Sequence, residues 1–240
     1  MLTQINHWME YAAAGVDLVL LLRVLGLRLQ RTYLLLTLAC LVAVIFDGAA
    51  LSLVRDSPER QRVEMYADLL SAFVFPLAAW DVFEELGTSL AALRRIGIFR
   101  TATSLLMITF IGVIVASSQG YDSGSLEYTG TLTLFVSTGS ATACLTFLWS
   151  MRRALRQQKV VLPNNTFVWM VFLALSLCAQ VTQWLFLFLA ETLQQPGASA
   201  FVQIIEMILV SYVMAISIWC AVKLKALPKD VPSASLNENS

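Results

Sequence analysis

Seven apolar stretches of about twenty residues each, separated by short polar segments, set the terms for this chain. An α-helix rises 1.5 Å per residue, so roughly 20 apolar residues cross the hydrocarbon of a bilayer. The stretches run over 11–29, 33–54, 66–86, 98–117, 131–149, 166–190 and 200–222. Of the 240 residues, 58% are hydrophobic and 13% are charged, and a globule of this size has too little interior for so many apolar side chains. The reading is an all-α membrane protein. It is a bundle of seven transmembrane helices forming one domain over 1–227. A polar tail over 228–240, rich in Pro, Ser and Asn, reads as disordered and cytoplasmic.

Lys and Arg suggest the orientation. Twelve of them lie on one side: Arg28, Arg31, Arg94, Arg95, Arg100, Arg152, Arg153, Arg156, Lys159, Lys223, Lys225 and Lys229. Three lie on the other, Arg55, Arg60 and Arg62, sharing their loop with Asp56, Glu59 and Glu64. The N-terminus is therefore expected outside and the C-terminus in the cytoplasm, in a cell membrane of the bacterial inner-membrane kind. The first stretch carries Asp17 and Arg23 and has no basic segment before it, so it reads as a span and not as a signal peptide. The segment 88–97 is short and basic, and is expected as a separate amphipathic helix in the inner interface.

Ionisable groups within spans are costly to keep there, which makes them the first candidates for function. Asp17, Asp47, Asp68 and Glu206 all fall in the outer half of their spans, on four different stretches. Gln180 and Gln183 add two amides, three residues apart on one helical face. Arg23 is the lone cation within a span and lies deeper. Together they suggest an outward-opening acidic pocket for a small polar or cationic ligand, with Asp47 and Glu206 at its centre and Arg23 as counter-ion. Internal glue is the competing reading, with Arg23 paired to Asp47 or Asp17 and Glu206 bonded to Gln183.

Several other features are structural on their face. Pro76 should kink the third span. Gly112 with Ala116, and Gly139 with Ala143, have the spacing of close helix contacts. Asp81, Glu84 and Glu85 form an acidic cluster at the inner end of the third span, with Arg94 and Arg95 as solvated partners. Asn164 or Asn165 is a ready N-cap for the sixth span. Cys40, Cys144, Cys178 and Cys220 lie inside apolar runs and read as small hydrophobes.

Much chemistry is excluded. His7 is the single histidine, which rules out haem held by two histidines, His-rich zinc sites and Ser–His catalysis. There is no glycine-rich phosphate loop, and no cofactor or nucleic acid is implied. Tyr66-Ala67-Asp68 resembles part of the microbial-rhodopsin pattern. That resemblance would require a lysine in the middle of the seventh span, whereas Lys223 and Lys225 stand at its inner end, so retinal is excluded. The leading expectation is a non-enzymatic protein of the lipid bilayer that binds or passes a small polar or cationic solute. One alternative is a subunit or sensor acting through a membrane protein partner. Another is an intramembrane enzyme using carboxylates as acid and base. Close approach of Asp17 and Asp47 in a cavity would favour the enzyme, and a path open at both ends would favour transport.

Overall fold

The computed structural model describes residues 2–54, 57–84, 86, 91–118, 120, 125–193 and 198–227. Arg55, Asp56, Glu85, the Arg94 side chain and the tail from 228 lie outside the described residues. Among the described residues there are seven α-helices and no strand: α1 (Leu2–Gly26), α2 (Leu34–Ser52), α3 (Pro58–Asp81), α4 (Ala91–Ser118), α5 (Leu126–Gln157), α6 (Asn164–Leu193) and α7 (Ala198–Lys223). A 3-10 turn, Leu29–Arg31, joins α1 to α2. Six of the seven helices are long and apolar enough to cross a membrane. The exception is α1, which carries Glu10, Asp17 and Arg23.

Local chemistry explains where the helices begin. Ser57 caps α3 by accepting from the Arg60 amide at 3.2 Å, with Pro58 in the first turn, where its missing N–H costs nothing. Ser125 caps α5 in the same way, accepting from the Tyr128 amide at 3.1 Å. The Ser57 cap shifts one expected boundary, since Arg60, Arg62 and Glu64 belong to the first turns of α3 and not to a loop. Residues 91–97 open α4 and do not form a separate interfacial helix.

Helices α1, α2, α3, α5, α6 and α7 close a ring, each packed on the next, and α4 lies outside it against α5. Phe99, Leu106, Met107 and Phe110 on α4 point outward and are largely exposed, as are Ile45, Ile208 and Val222 on the ring. Such a belt of large apolar side chains suits lipid and not water. At the α4–α5 contact, a side chain at Gly139 would collide with Ile108, and one at Gly112 would press on Phe135 at 3.0 Å. Glycine is what allows these two backbones to approach so closely.

The two ends of the ring differ. Where α1, α3, α5 and α7 finish and α2 and α6 begin, the interior is solid, built around Val24, Leu29, Tyr33, Leu36, Phe83, Met151, Trp169 and Leu224. Polar ties lock this packed end. The carboxylate of Asp81 accepts from the Leu36 amide at 3.1 Å, placing an acid at the N-terminus of α2. Asp81 is thus buried and not part of a solvated cluster with Glu84. The Asn164 and Asn165 amides donate to the Lys223 and Lys225 carbonyls at 3.0 and 2.9 Å, and Asn165 accepts from the Lys225 amide at 3.0 Å. Their side chains therefore join the start of α6 to the end of α7, where an N-cap was expected.

Pro76 lies inside α3 without ending it. Proline has no N–H, so the Ala72 carbonyl one turn earlier lacks its helical donor. The Ser140 hydroxyl of α5 donates to that carbonyl, and Ser137, one turn away, donates to the Asp68 carbonyl at 3.3 Å.

Candidate functional site

Toward the other end the ring encloses a cavity in two chambers. The upper one, about 370 Å³, is lined by Asp17 of α1, Asp47 of α2, Asp68 and Ser71 of α3, Ser176, Gln180 and Gln183 of α6, and Val210 and Met214 of α7. The lower one, about 150 Å³, lies deeper against Leu20, Leu36, Cys40, Phe75 and Phe172. Asp17, Ser71, Phe75, Ser176 and Val213 border both, so the chambers adjoin one another. The lower chamber ends on Leu20, Leu36 and Leu173, which belong to the packed core.

Helical spacing explains the convergence. On α1, Ala13, Asp17 and Leu20 follow each other at intervals of four and three, tracing one face from the upper chamber to the lower. Asp68, Ser71 and Phe75 do the same on α3, and Ser176, Gln180 and Gln183 on α6. The Asp17 and Asp47 carboxyls adjoin one another across the α1–α2 contact. Two carboxylates that close repel unless a proton or a cation stands between them. Asp68 faces them from α3, closer to Glu64.

Five of the seven sequence candidates, Asp17, Asp47, Asp68, Gln180 and Gln183, therefore share one cavity. Glu206 does not line it. It is half-buried on α7 one turn from Val210, on the side away from the packed core and near Glu64. Arg23 is also elsewhere. Its Nε donates to the Ala221 carbonyl at 3.2 Å and its Nη2 to the Leu224 carbonyl at 3.4 Å. A cation at the C-terminal carbonyls of α7 complements the helix dipole, and Arg23 itself stands exposed in the last turn of α1, closer to the end of its helix than expected.

Two groups of residues escaped the sequence reading. Ser71, Ser176 and Ser217 bring hydroxyls to the cavity. Their spacing from Asp68, Gln180 and Glu206 on the same helical faces was the available signal. The second group is a clasp at the mouth end, where Arg60 binds Glu10 of α1 at 3.0 Å and Glu64 at 2.7 Å. With it, all three charged residues of α1 have a place: Glu10 in the clasp, Asp17 in the cavity and Arg23 on α7.

This architecture defines a helical membrane bundle with a polar cavity among five of its helices. No family model, curated protein or solved structure matches the chain.

Proposed function

We propose that this protein is a multi-pass membrane protein that binds a small polar or cationic solute in the acidic cavity, as a carrier or receptor for it. The observation that carries this reading is the meeting of Asp17, Asp47, Asp68, Gln180 and Gln183, from four helices, on one open space. Acids serving only as glue would be paired within a closed core. Ligand pockets of membrane bundles instead combine an apolar wall with a few convergent polar groups, at volumes of roughly 300–1,000 Å³. In this reading α1 is the seventh span, its charges taken up by α3, the cavity and α7. The N-terminus faces outward, the C-terminus is cytoplasmic, and the protein resides in a cell membrane, as the distribution of Lys and Arg favours. The cavity opens toward the outer side and is closed inward by the packed core.

Thermal unfolding of the purified protein against a panel of inorganic and organic cations tests the reading. A ligand that binds the folded state alone adds about 2.7 kcal/mol at 100 times its Kd. The expected outcome is a rise in melting temperature with at least one cation, lost in Asp17→Asn and Asp47→Asn. Early melting of both variants without any cation effect would return the acids to a structural role.

A second reading has one specific observation in its favour. The adjoining Asp17 and Asp47 could act as acid and base on a bound molecule. Mass spectrometry separates the two. A ligand recovered unchanged after long incubation supports binding, and a product lost in either Asn variant supports an enzyme.

A further inference from the structure

Below the acid pair the cavity changes character. The lower chamber is walled by Leu20, Leu36, Val74, Phe75 and Phe172, and meets the acidic chamber at Asp17 and Ser176. Ser217 borders the lower chamber, is 1% exposed, and has its hydroxyl turned toward Asp17. The Ser176 hydroxyl, on a residue that borders both chambers, is buried and has no hydrogen-bond partner. Buried hydroxyls are rarely left unmade, so a polar group held at the junction of the chambers would find a partner in Ser176.

The surroundings select its chemistry. Among the described residues no three acid, histidine or cysteine side chains gather as metal ligands, and hard divalent ions need six or more oxygens. A bare monovalent ion would use the acidic chamber and leave the apolar one empty. An apolar cavity near 150 Å³ is known to hold a benzene-sized group, and that is the volume of the lower chamber. An ammonium carries three donors, and Asp17 and Asp47 offer it carboxylate acceptors in the acidic chamber, with Asp17 also bordering the apolar one.

We infer that the solute is a protonated primary amine attached to a benzene-sized apolar group. The ammonium sits between Asp17 and Asp47 and relieves their repulsion. It donates to both carboxylates, and the ring fills the lower chamber against Phe75 and Phe172. This rests on the cavity being a ligand site, as proposed above.

Binding of four probes to the full chain in lipid nanodiscs tests it: benzylamine, methylammonium, benzyl alcohol and sodium, at constant ionic strength. Benzylamine is expected to bind at least about tenfold more tightly than methylammonium or benzyl alcohol, since burying the ring adds apolar area and the charge adds the acids. Ala43 of α2 lines the lower chamber, so Ala43→Phe, which fills it, should abolish the advantage of the ring and leave methylammonium unaffected. Asp47→Asn should weaken both amines. If Ala43→Phe does not fold, the probe series on the unaltered chain decides alone. Equal affinity for methylammonium and benzylamine, or benzylamine binding untouched by a folded Ala43→Phe, overturns the inference while the cavity remains a cation site. Binding of none of the four probes overturns the inference and removes the support for the ligand site as well.

Discussion

Ser140 shows how one side chain can repair a helix that its own sequence weakens. Pro76 withholds a donor from the Ala72 carbonyl, and the Ser140 hydroxyl supplies one from the neighbouring helix. Ser140→Ala should therefore lower stability by about 1 kcal/mol, the usual worth of a hydrogen bond between membrane helices. In a Pro76→Ala background the residue-76 amide can bond Ala72 directly, so the same Ser140→Ala change should then cost almost nothing. A double-mutant cycle of unfolding free energies measures the coupling, and additive costs would show that the serine acts some other way. Arg23 gives a similar lesson. An intramembrane arginine suggests an acid partner, yet here backbone carbonyls at a helix end suffice for two of its donors.

At the scale of elements, α1 and α4 contrast. Helix α4 is apolar, joined to the bundle chiefly through α5, and contributes nothing to either chamber of the cavity. Its seat depends on the glycines that face it. Gly139→Val would drive a side chain into Ile108 and should destabilise the fold by about 1–3 kcal/mol, the range for overpacking a tight contact. Because neither Gly139 nor Ile108 lines the cavity, the Kd for any cavity ligand should stay within about twofold in the folded variant, since sites with no shared partners behave additively. Calorimetry on wild type and variant compares both quantities. Helix α1 is the opposite case. It carries three charged residues, and each is used by the ring: at the clasp, in the cavity and on α7.

The whole molecule is asymmetric along its axis. One end is a dry core with buried polar ties between helix termini, and the other holds the cavity and, at its mouth, the Arg60 clasp. A binding site at one end of a bundle has meaning for a cell only if that end faces a definite side. With the proposed orientation, a fluorescent protein fused to the C-terminus should fluoresce, and an alkaline phosphatase fused there should be inactive. The opposite pair of results would turn the cavity toward the cytoplasm and reverse the direction in which a solute could approach.

The sequence alone determined the class of this protein, because span length and apolar content follow directly from bilayer thickness and helix rise. It also singled out Asp17, Asp47, Asp68, Gln180 and Gln183, since an ionisable or amide side chain in an apolar run is conspicuous. Tertiary structure alone decided what each of these faces. Glu206 and Asp47 look alike in sequence, both acids in apolar spans, yet one lines the cavity and the other stands a turn outside it. Asp81 reads as a solvated acid and turns out to be buried against the start of α2. Ser217 looks unremarkable in the sequence and is buried with its hydroxyl toward Asp17 in the structure. Depth along a helix can be counted from residue number, but rotation about its axis, and the neighbours it brings, depend on contacts between residues far apart in the chain.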